Sequence, residues 1–432
     1  MADQKPRQIA YATLLERGRT LAHTEELLQK RLDGEVLKPC DRALCQEIVY
    51  GVVRRQRTLD WLVERKAPGR RQVPSVRIVL HMGLYQLLWL DRIPNHAAVH
   101  ESVELLRSKG LVGAAGFVNA VLRAYATDRE TTRASLKALE ETEPGIATSH
   151  PDWMIRRWQA RWGVETTRKL LEWNNQGAVV FGRINTLKAS PEDTTHRWTT
   201  EGLQFENFNR EWFPADWVYR FQSLAGLHGL GSFNKGLFYV QDPSTLMSVQ
   251  MLDPKPGDRV LDFCAAPGGK TTCIAQCLQN QGLILALDPD AKRLERLQEN
   301  CLRMGVTCAT TMRPDQFAAK HGGHLFDKVL VDAPCSNTGV LRRRVDVRWR
   351  LSLQSILSQT DHQLAILSKA SESVRPQGSL VYSTCSLEPE ENRDLVFRFL
   401  AEHPGFALVK DRELSPVEEG VDGAYAALLR RS

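Results

Sequence analysis

The sequence has no apolar run long enough to cross a bilayer. Its longest apolar stretch, Ile78 to Leu90, contains His81 and Gln86 and falls short of the ~20 residues a spanning helix needs. The opening Met-Ala-Asp-Gln-Lys-Pro has no apolar core of a secretory leader. Both absences lead us to expect a cytoplasmic protein without a membrane partner. There is also no Cys-x2-Cys pair. The 9 cysteines in 432 residues read as reduced thiols rather than a disulfide framework, and no metal site is expected. Charge of one sign is scarce, at 57 basic against 51 acidic residues. A net charge of +6 is mild for a nucleic-acid binder and does not name a partner. Repeats and low-complexity tracts are missing, which sets aside a disordered scaffold.

What is present is the balance of a globular protein with an ample core, 42% hydrophobic and 25% charged, long enough for two to four domains. Three textures follow one another. Residues 1–140 read as helices throughout. Val76, Val79, Leu80, Gly83, Leu84, Leu87 and Leu88 mark a strongly apolar helix as the hub of a bundle. The charged stretch Thr127 to Glu143 is a connector. Residues 141–235 hold Trp153, Trp158, Trp162, Trp173, Trp212 and Trp217, with a helix over Asp152–Trp173 and strand-like pieces at Val179–Ile184 and Trp217–Phe221. This predicts a small α+β module, its tryptophans serving mainly as core.

From residue 236 to 432 strands and helices alternate. Strands are expected at Arg259–Phe263, Leu283–Leu287, Thr307–Thr311, Lys328–Val331, Ser379–Tyr382, Phe406–Val409 and Ala424–Leu429. Helices are expected at Thr271–Gln279, Lys292–Met304, Leu353–Val374 and Glu390–Glu402. Such alternation predicts an open, mostly parallel α/β sheet with its ligand beyond the carboxyl ends of the central strands.

One line carries the most chemistry: Val260-Leu-Asp-Phe, then Cys264, Ala265, Ala266, Pro267, Gly268, Gly269, Lys270 and Thr271. A strand enters a turn of small residues and a helix opens at once, so a carboxylate or phosphate can meet the helix N-terminus. A dinucleotide needs Gly-x-Gly-x-x-Gly, which is absent. A nucleoside triphosphate needs a glycine where Cys264 stands, although Gly269-Lys270-Thr271 and Val329-Leu-Val-Asp332 keep that reading open. S-adenosylmethionine suits the turn without a pyrophosphate. Its ribose asks for an acid at the end of the next strand, where Asp288 lies 20 residues after Gly268.

Two further strands end at cysteines, in Asp332-Ala-Pro-Cys335-Ser336 and Ser383-Thr384-Cys385-Ser386. Two thiols beside such a pocket point to methylation at C5 of a pyrimidine. C5 is too weak a nucleophile until a thiolate adds at C6, and an acid such as Asp332 near N3 would stabilise the adduct. Cys273 and Cys277, four apart on one helix, have no flanking ligands and read as core, as do Cys40, Cys45, Cys301 and Cys308.

These three segments, with Asp346-Val-Arg348-Trp349 and Pro389-Glu390-Glu391-Asn392, resemble the RNA cytosine-C5 methyltransferases that include the Nol1/Nop2/Sun proteins. The style is that of the bacterial Fmu/RsmB type, which acts on small-subunit rRNA. Gly83-Leu-Tyr-Gln-Leu87, Ile93-Pro-x-His96-Ala-Ala98 and Val118-Asn-Ala-Val-Leu-Arg123 resemble that type's NusB-like N-terminal region. The resemblance implies a multidomain chain: an all-α NusB-like domain, an α+β module and a Rossmann-like class I methyltransferase domain. It implies Cys385 as nucleophile, Cys335 assisting release, and S-adenosylmethionine contacts from Cys264 through Lys270, Asp288, Asp332 and Asp315. At Asp315 the neighbours Met312-Arg-Pro314 depart from the family's text. The five arginines between Arg342 and Arg350, namely Arg342, Arg343, Arg344, Arg348 and Arg350, suit phosphate contact, and the first four are the RNA-binding candidates. A monomer is expected, and an unstacked cytosine as target. The alternative is a ribosome-assembly factor that binds RNA and carries a vestigial catalytic domain.

Overall fold

The computed structural model describes residues 5–224, 226–321 and 323–432, so the reading of the leader falls partly on residues outside those described. Among them no helix is long and apolar enough to cross a membrane. The chain forms two compact units, residues 1–176 with 341–350 and residues 177–340 with 351–432. The tryptophan-rich helix Asp152–Asn175 belongs to the first unit and the small sheet after it to the second.

In the first unit, Pro74 opens helix Pro74–Trp89, since a missing N–H costs nothing in a first turn. This helix is the expected hub. It is buried along Val76, Val79, Leu80, Met82, Leu84, Leu87 and Leu88. It packs against helices Lys5–Arg17, Pro39–Arg54, Gln56–Lys66, Asn95–Ser108, Val112–Thr127 and Arg129–Thr142. The charged connector is the last of these helices and buries only Thr132 and Leu136.

The second unit holds two sheets. Strands β1 (Val180–Ile184), β2 (Phe205–Asn207), β3 (Val218–Phe221) and β4 (Phe238–Val240) form an antiparallel sheet in the order β2-β3-β1-β4. Its core is Trp198, which the sequence reading did not single out. The ring is buried with Phe205, Tyr219, Phe221 and Phe238 at 4.8–5.4 Å between centroids.

The second sheet comprises β5 (Arg259–Phe263), β6 (Leu283–Leu287), β7 (Ala309–Met312), β8 (Phe326–Asp332), β9 (Val374–Thr384), β10 (Phe406–Leu414) and β11 (Ala424–Arg431), in the order β10-β11-β9-β8-β5-β6-β7. Pairs from β7 across to β9 are parallel; β11 is antiparallel to β9 and to β10. The strand order reverses at β5, which is paired to both β6 and β8. A ligand crevice lies at such a reversal, off the carboxyl ends of the strands. Helix Leu353–Ser371 is shorter than expected, because β9 begins at Val374.

The small sheet is fastened to the large one by buried polar side chains. Arg183 on β1 is fully buried and donates to Gln241 Oε1 (2.9 Å), Thr272 Oγ1 (2.8 Å) and Gln276 Oε1. Asn185 donates to the carbonyls of Gly236 (2.8 Å) and Met304 (2.7 Å). A buried guanidinium must find acceptors, so these bonds hold β1 against helix Gly269–Cys277.

Candidate active site

β5 ends at Phe263 and the chain turns through Cys264 to Gly268 into helix Gly269–Cys277. Gly268 has φ +104°, and a Cβ there would meet Leu297 Cδ1 at 2.5 Å, so only glycine fits. Cys264 also has positive φ (67°), a strained state for a side-chain-bearing residue. Surrounding bonds hold the turn: Ala265 N–H to Leu287 O (2.8 Å), Arg293 to Ala266 O (2.6 Å) and Asn300 to Pro267 O (3.0 Å). The Cys264 thiol is pushed up to about 12 by burial and by Asp332, Asp288 and Asp262 around it. It stays protonated and serves as part of the wall.

Asp288 follows β6 and is fully buried. Its Oδ1 accepts from Asp290 N (3.1 Å), while Oδ2 has no hydrogen bond, the Arg293 guanidinium standing 3.4 Å away. A buried carboxylate oxygen without a donor is expensive, and a ribose hydroxyl would satisfy it. The turn and this orphaned oxygen together fit S-adenosylmethionine. Asp262, within β5, was missed in the sequence. It is fully buried, accepts from Thr271 Oγ1 (2.6 Å), and burial pushes its carboxyl up to about 7. Asp315 is placed differently from the other acids: exposed in the first turn of helix Pro314–His321, it pairs with Arg313 at 2.8 Å.

Lys270, one residue into the helix, forms an ion pair with Asp332 at the end of β8, and Ser383 Oγ donates to the same Asp332 oxygen (2.9 Å). Three residues on, Cys335 Sγ lies 3.3 Å from Cys385 Sγ, just beyond β9. Cys385 donates to Asn337 Oδ1 (3.1 Å), and Asn337 Nδ2 donates to Cys335 O (2.7 Å). Asn337 takes a left-handed conformation (φ 59°), which asparagine tolerates better than most residues. The Cys335 thiol is raised well above its usual value by its bond to Cys385, by burial, and by the charges of Cys385 and Glu391. The two cysteines and Asp332 are thus brought together with Lys270.

Asn337 and Glu391 were not assigned roles from sequence. Both cysteines are followed by serine, and Ser336 and Ser386 both reach Glu391, a link that only the folded chain shows. Cys273 is buried and Cys277 half-buried in the helix after the turn. Among the described residues no three His, Cys, Asp or Glu side chains stand together as metal ligands.

The arginine cluster requires a correction. Arg348 is fully buried in the first unit and donates to Ser149 O (3.2 Å), Asn174 O (2.9 Å) and Asn175 Oδ1 (3.0 Å). Arg342, also buried, lies 4.0 Å over the Trp173 ring. Neither guanidinium faces solvent, so neither offers itself to a phosphate; they order the segment 341–350. Arg343 is half-buried, and Arg344 is exposed, 3.8 Å from Glu25.

Residues 249–429 match the family described as 16S rRNA methyltransferase RsmB/F. Residues 4–127 match the NusB family, and residues 150–211 a ferredoxin-like domain of RsmF/B-like methyltransferases. A protein of Synechocystis sp. called "Probable ribosomal RNA small subunit methyltransferase B" is 36% identical over 405 residues, 92% of this chain and 89% of its own. The chain belongs to the RsmB/F methyltransferase family. A second RsmB/F-type relative, the ribosomal RNA small subunit methyltransferase B of Klebsiella pneumoniae, is 34% identical and covers 98% of this chain and 96% of its own. A crystal structure of a methyltransferase homolog protein from Pyrococcus horikoshii is 29% identical with a TM-score of 0.58, over 67% of this chain and 97% of that one. The expected NusB-like, α+β and Rossmann-like class I parts are all present in this RsmB/F chain.

Proposed function

We propose that this chain transfers a methyl group from S-adenosylmethionine to C5 of a cytosine in small-subunit rRNA, through a covalent bond from Cys385 to C6. The observation that carries the reading is the pair of thiols 3.3 Å apart at the carboxyl edge of the sheet, beside the Lys270–Asp332 pair. The turn from Cys264 to Lys270, with Asp288 and Asp332, would hold the cofactor, which supplies an electrophilic methyl group when bound. Asp315 could join them only by leaving Arg313.

The chemistry then falls to the chain's own side chains. Cys385, whose S–H is oriented by Asn337 Oδ1, reacts as the thiolate, its proton passing to solvent, and its sulfur forms a bond to C6, making C5 enamine-like. Asp332, held by Lys270 and Ser383, accepts from the exocyclic amine beside N3 and so orients that edge of the ring as charge shifts there. Once C5 carries its methyl group, solvent water takes the C5 proton, the C5–H electron pair becomes the C5=C6 double bond, and the C6–S bond breaks with its electrons on the Cys385 sulfur. Cys335 is the group against the departing sulfur, and its thiol can supply that sulfur with a proton. Arg343 and Arg344 remain the arginines proposed to meet RNA phosphate.

The test uses tritiated S-adenosylmethionine, unmodified small-subunit rRNA and the variants Cys385→Ala and Cys335→Ala. The first is expected to yield no product and the second a trapped protein–RNA adduct, with bisulfite sequencing locating the 5-methylcytosine made by the native chain. Full activity of Cys385→Ala would sink the reading.

A further inference from the structure

A fully buried glutamate, Glu391, sits where the two cysteine loops meet. It closes the turn Pro389–Glu391 that precedes helix Arg393–Glu402. Its Oε1 accepts from Ser336 N (2.8 Å) and from Gln363 Nε2 (3.0 Å), and its Oε2 accepts from the hydroxyls of Ser336 and Ser386. Four donors converge on one carboxylate, an arrangement suited to its acceptor-only, ionised form. Burial works against that charge and raises the carboxyl, while the donors from Ser336, Ser386 and Gln363 pull it back.

The bonds around this carboxylate bracket each cysteine on both sides. For Cys335, Gln363 also donates to the carbonyl of Pro334 (2.9 Å), and Glu391 holds Ser336. For Cys385, Asn392 accepts from Thr384 Oγ1 (2.6 Å) and donates to Ser386 O (2.9 Å), and Glu391 holds the Ser386 hydroxyl. Tyr382 closes the bracket from β9 by donating to the Glu391 carbonyl (2.7 Å). The two cysteine loops meet the carboxylate differently, the Cys335 loop through both the peptide N–H and the hydroxyl of Ser336 and the Cys385 loop through the Ser386 hydroxyl. Glu391 accepts the peptide N–H directly after Cys335, and Cys335 is the thiol it helps keep protonated. Cys385 has Asn337 as its own polar partner.

We propose that Glu391 is a positioning residue for both cysteines: it clamps their loops together and, by its charge beside Cys335, leaves Cys385 as the sulfur that becomes the nucleophile. The proposal rests on the cysteine chemistry proposed above and deepens it by naming what separates the two thiols. A buried carboxylate without a cation would otherwise be a costly way to pin two loops.

Limited alkylation with iodoacetamide, read by peptide mass spectrometry, reports which thiol reacts first and needs no substrate. In the native chain Cys385 is expected to label ahead of Cys335. Glu391→Gln keeps the shape, and the serine hydroxyls can rotate to meet its amide, but the charge is gone. The ratio of Cys385 to Cys335 labelling is then expected to fall roughly tenfold, the effect of about 1.4 kcal/mol on one thiol, with the melting temperature kept. Glu391→Asp, which retains the charge, is expected to restore part of the ratio. Should Glu391→Gln not fold, Gln363→Leu frees the Pro334 side of Cys335 and is expected to lower the same ratio. An unchanged ratio in the folded variant would overturn the proposal. A shifted ratio in a chain that makes no 5-methylcytosine would leave Glu391 its role and remove the methylation reading; 5-methylcytosine with an unmoved ratio would do the reverse.

Discussion

Gly339 and Gly423 lie back to back, with Gly423 donating its N–H to Gly339 O at 2.9 Å while Gly339 donates its own to Cys385 O at 2.9 Å. A Cβ on Gly339 would meet Gly423 O at 2.5 Å and Cys385 O at 2.7 Å, both backbone atoms that cannot swing aside. Gly339→Ala is therefore expected to push the Cys385 loop away from the Cys335 loop. The expected cost is about 1–3 kcal/mol of stability together with most of the methylation rate. A thermal melt and a single-turnover assay check both.

The Lys270–Asp332 pair stands at the mouth of the site, with Lys270 mostly buried and Asp332 half-buried. Lys270→Met and Asp332→Asn are each expected to lower kcat/KM by on the order of a hundredfold, since each leaves its partner unpaired. The double variant should lose less than the product of the two losses. A coupling of about 0.5–3 kcal/mol in the double-mutant cycle is the expected result.

Asp262 makes a prediction about pH. Its carboxyl is raised by burial from 3.8 to about 7 in the folded chain, so between those values the folded state holds a proton that the unfolded state has released. The stability it confers is fully present below pH ~4 and is lost as pH rises towards 7, by at most about 1.4 kcal/mol per pH unit. Asp262→Asn removes this dependence. Urea midpoints at pH 5 and pH 8 should show the variant gaining on the native chain at the higher pH.

Asp288 offers its buried, unbonded oxygen to a ribose. Asp288→Ala is expected to weaken S-adenosylmethionine binding by roughly tenfold to a hundredfold, the loss of hydrogen bonds to a charged acceptor. Isothermal titration of the full chain measures it without RNA.

The arginines separate into two kinds. Arg348→Met leaves the carbonyls of Ser149 and Asn174 without their donor and should cost about 3 kcal/mol of stability. It should leave the slope of log affinity for rRNA against log salt unchanged. Arg344→Ala should leave stability unchanged and reduce that slope by about 1 if it meets a phosphate. Filter binding at several salt concentrations distinguishes them.

The amino-acid order by itself determined the elements and the reaction centre's ingredients. Strand Leu283–Leu287 is one apolar run from end to end, as a buried parallel strand tends to be, and strand Arg259–Phe263 was legible from Val260, Leu261 and Phe263 leading straight into the glycine turn. The turn from Cys264 to Gly269 was legible because a side chain has no room at Gly268. Both cysteines were legible because a strand precedes each. Tertiary structure alone decided which side chains face water and which face each other. Composition cannot tell an arginine that reaches phosphate from one, like Arg348, whose donors are spent on carbonyls nearly 200 residues away in the chain. Nor could spacing reveal Glu391, whose four bonds come from Ser336, Gln363 and Ser386 on three separate segments. A carboxylate's charge acts through distance in space, and that distance exists only once β8, β9 and helix Leu353–Ser371 have packed.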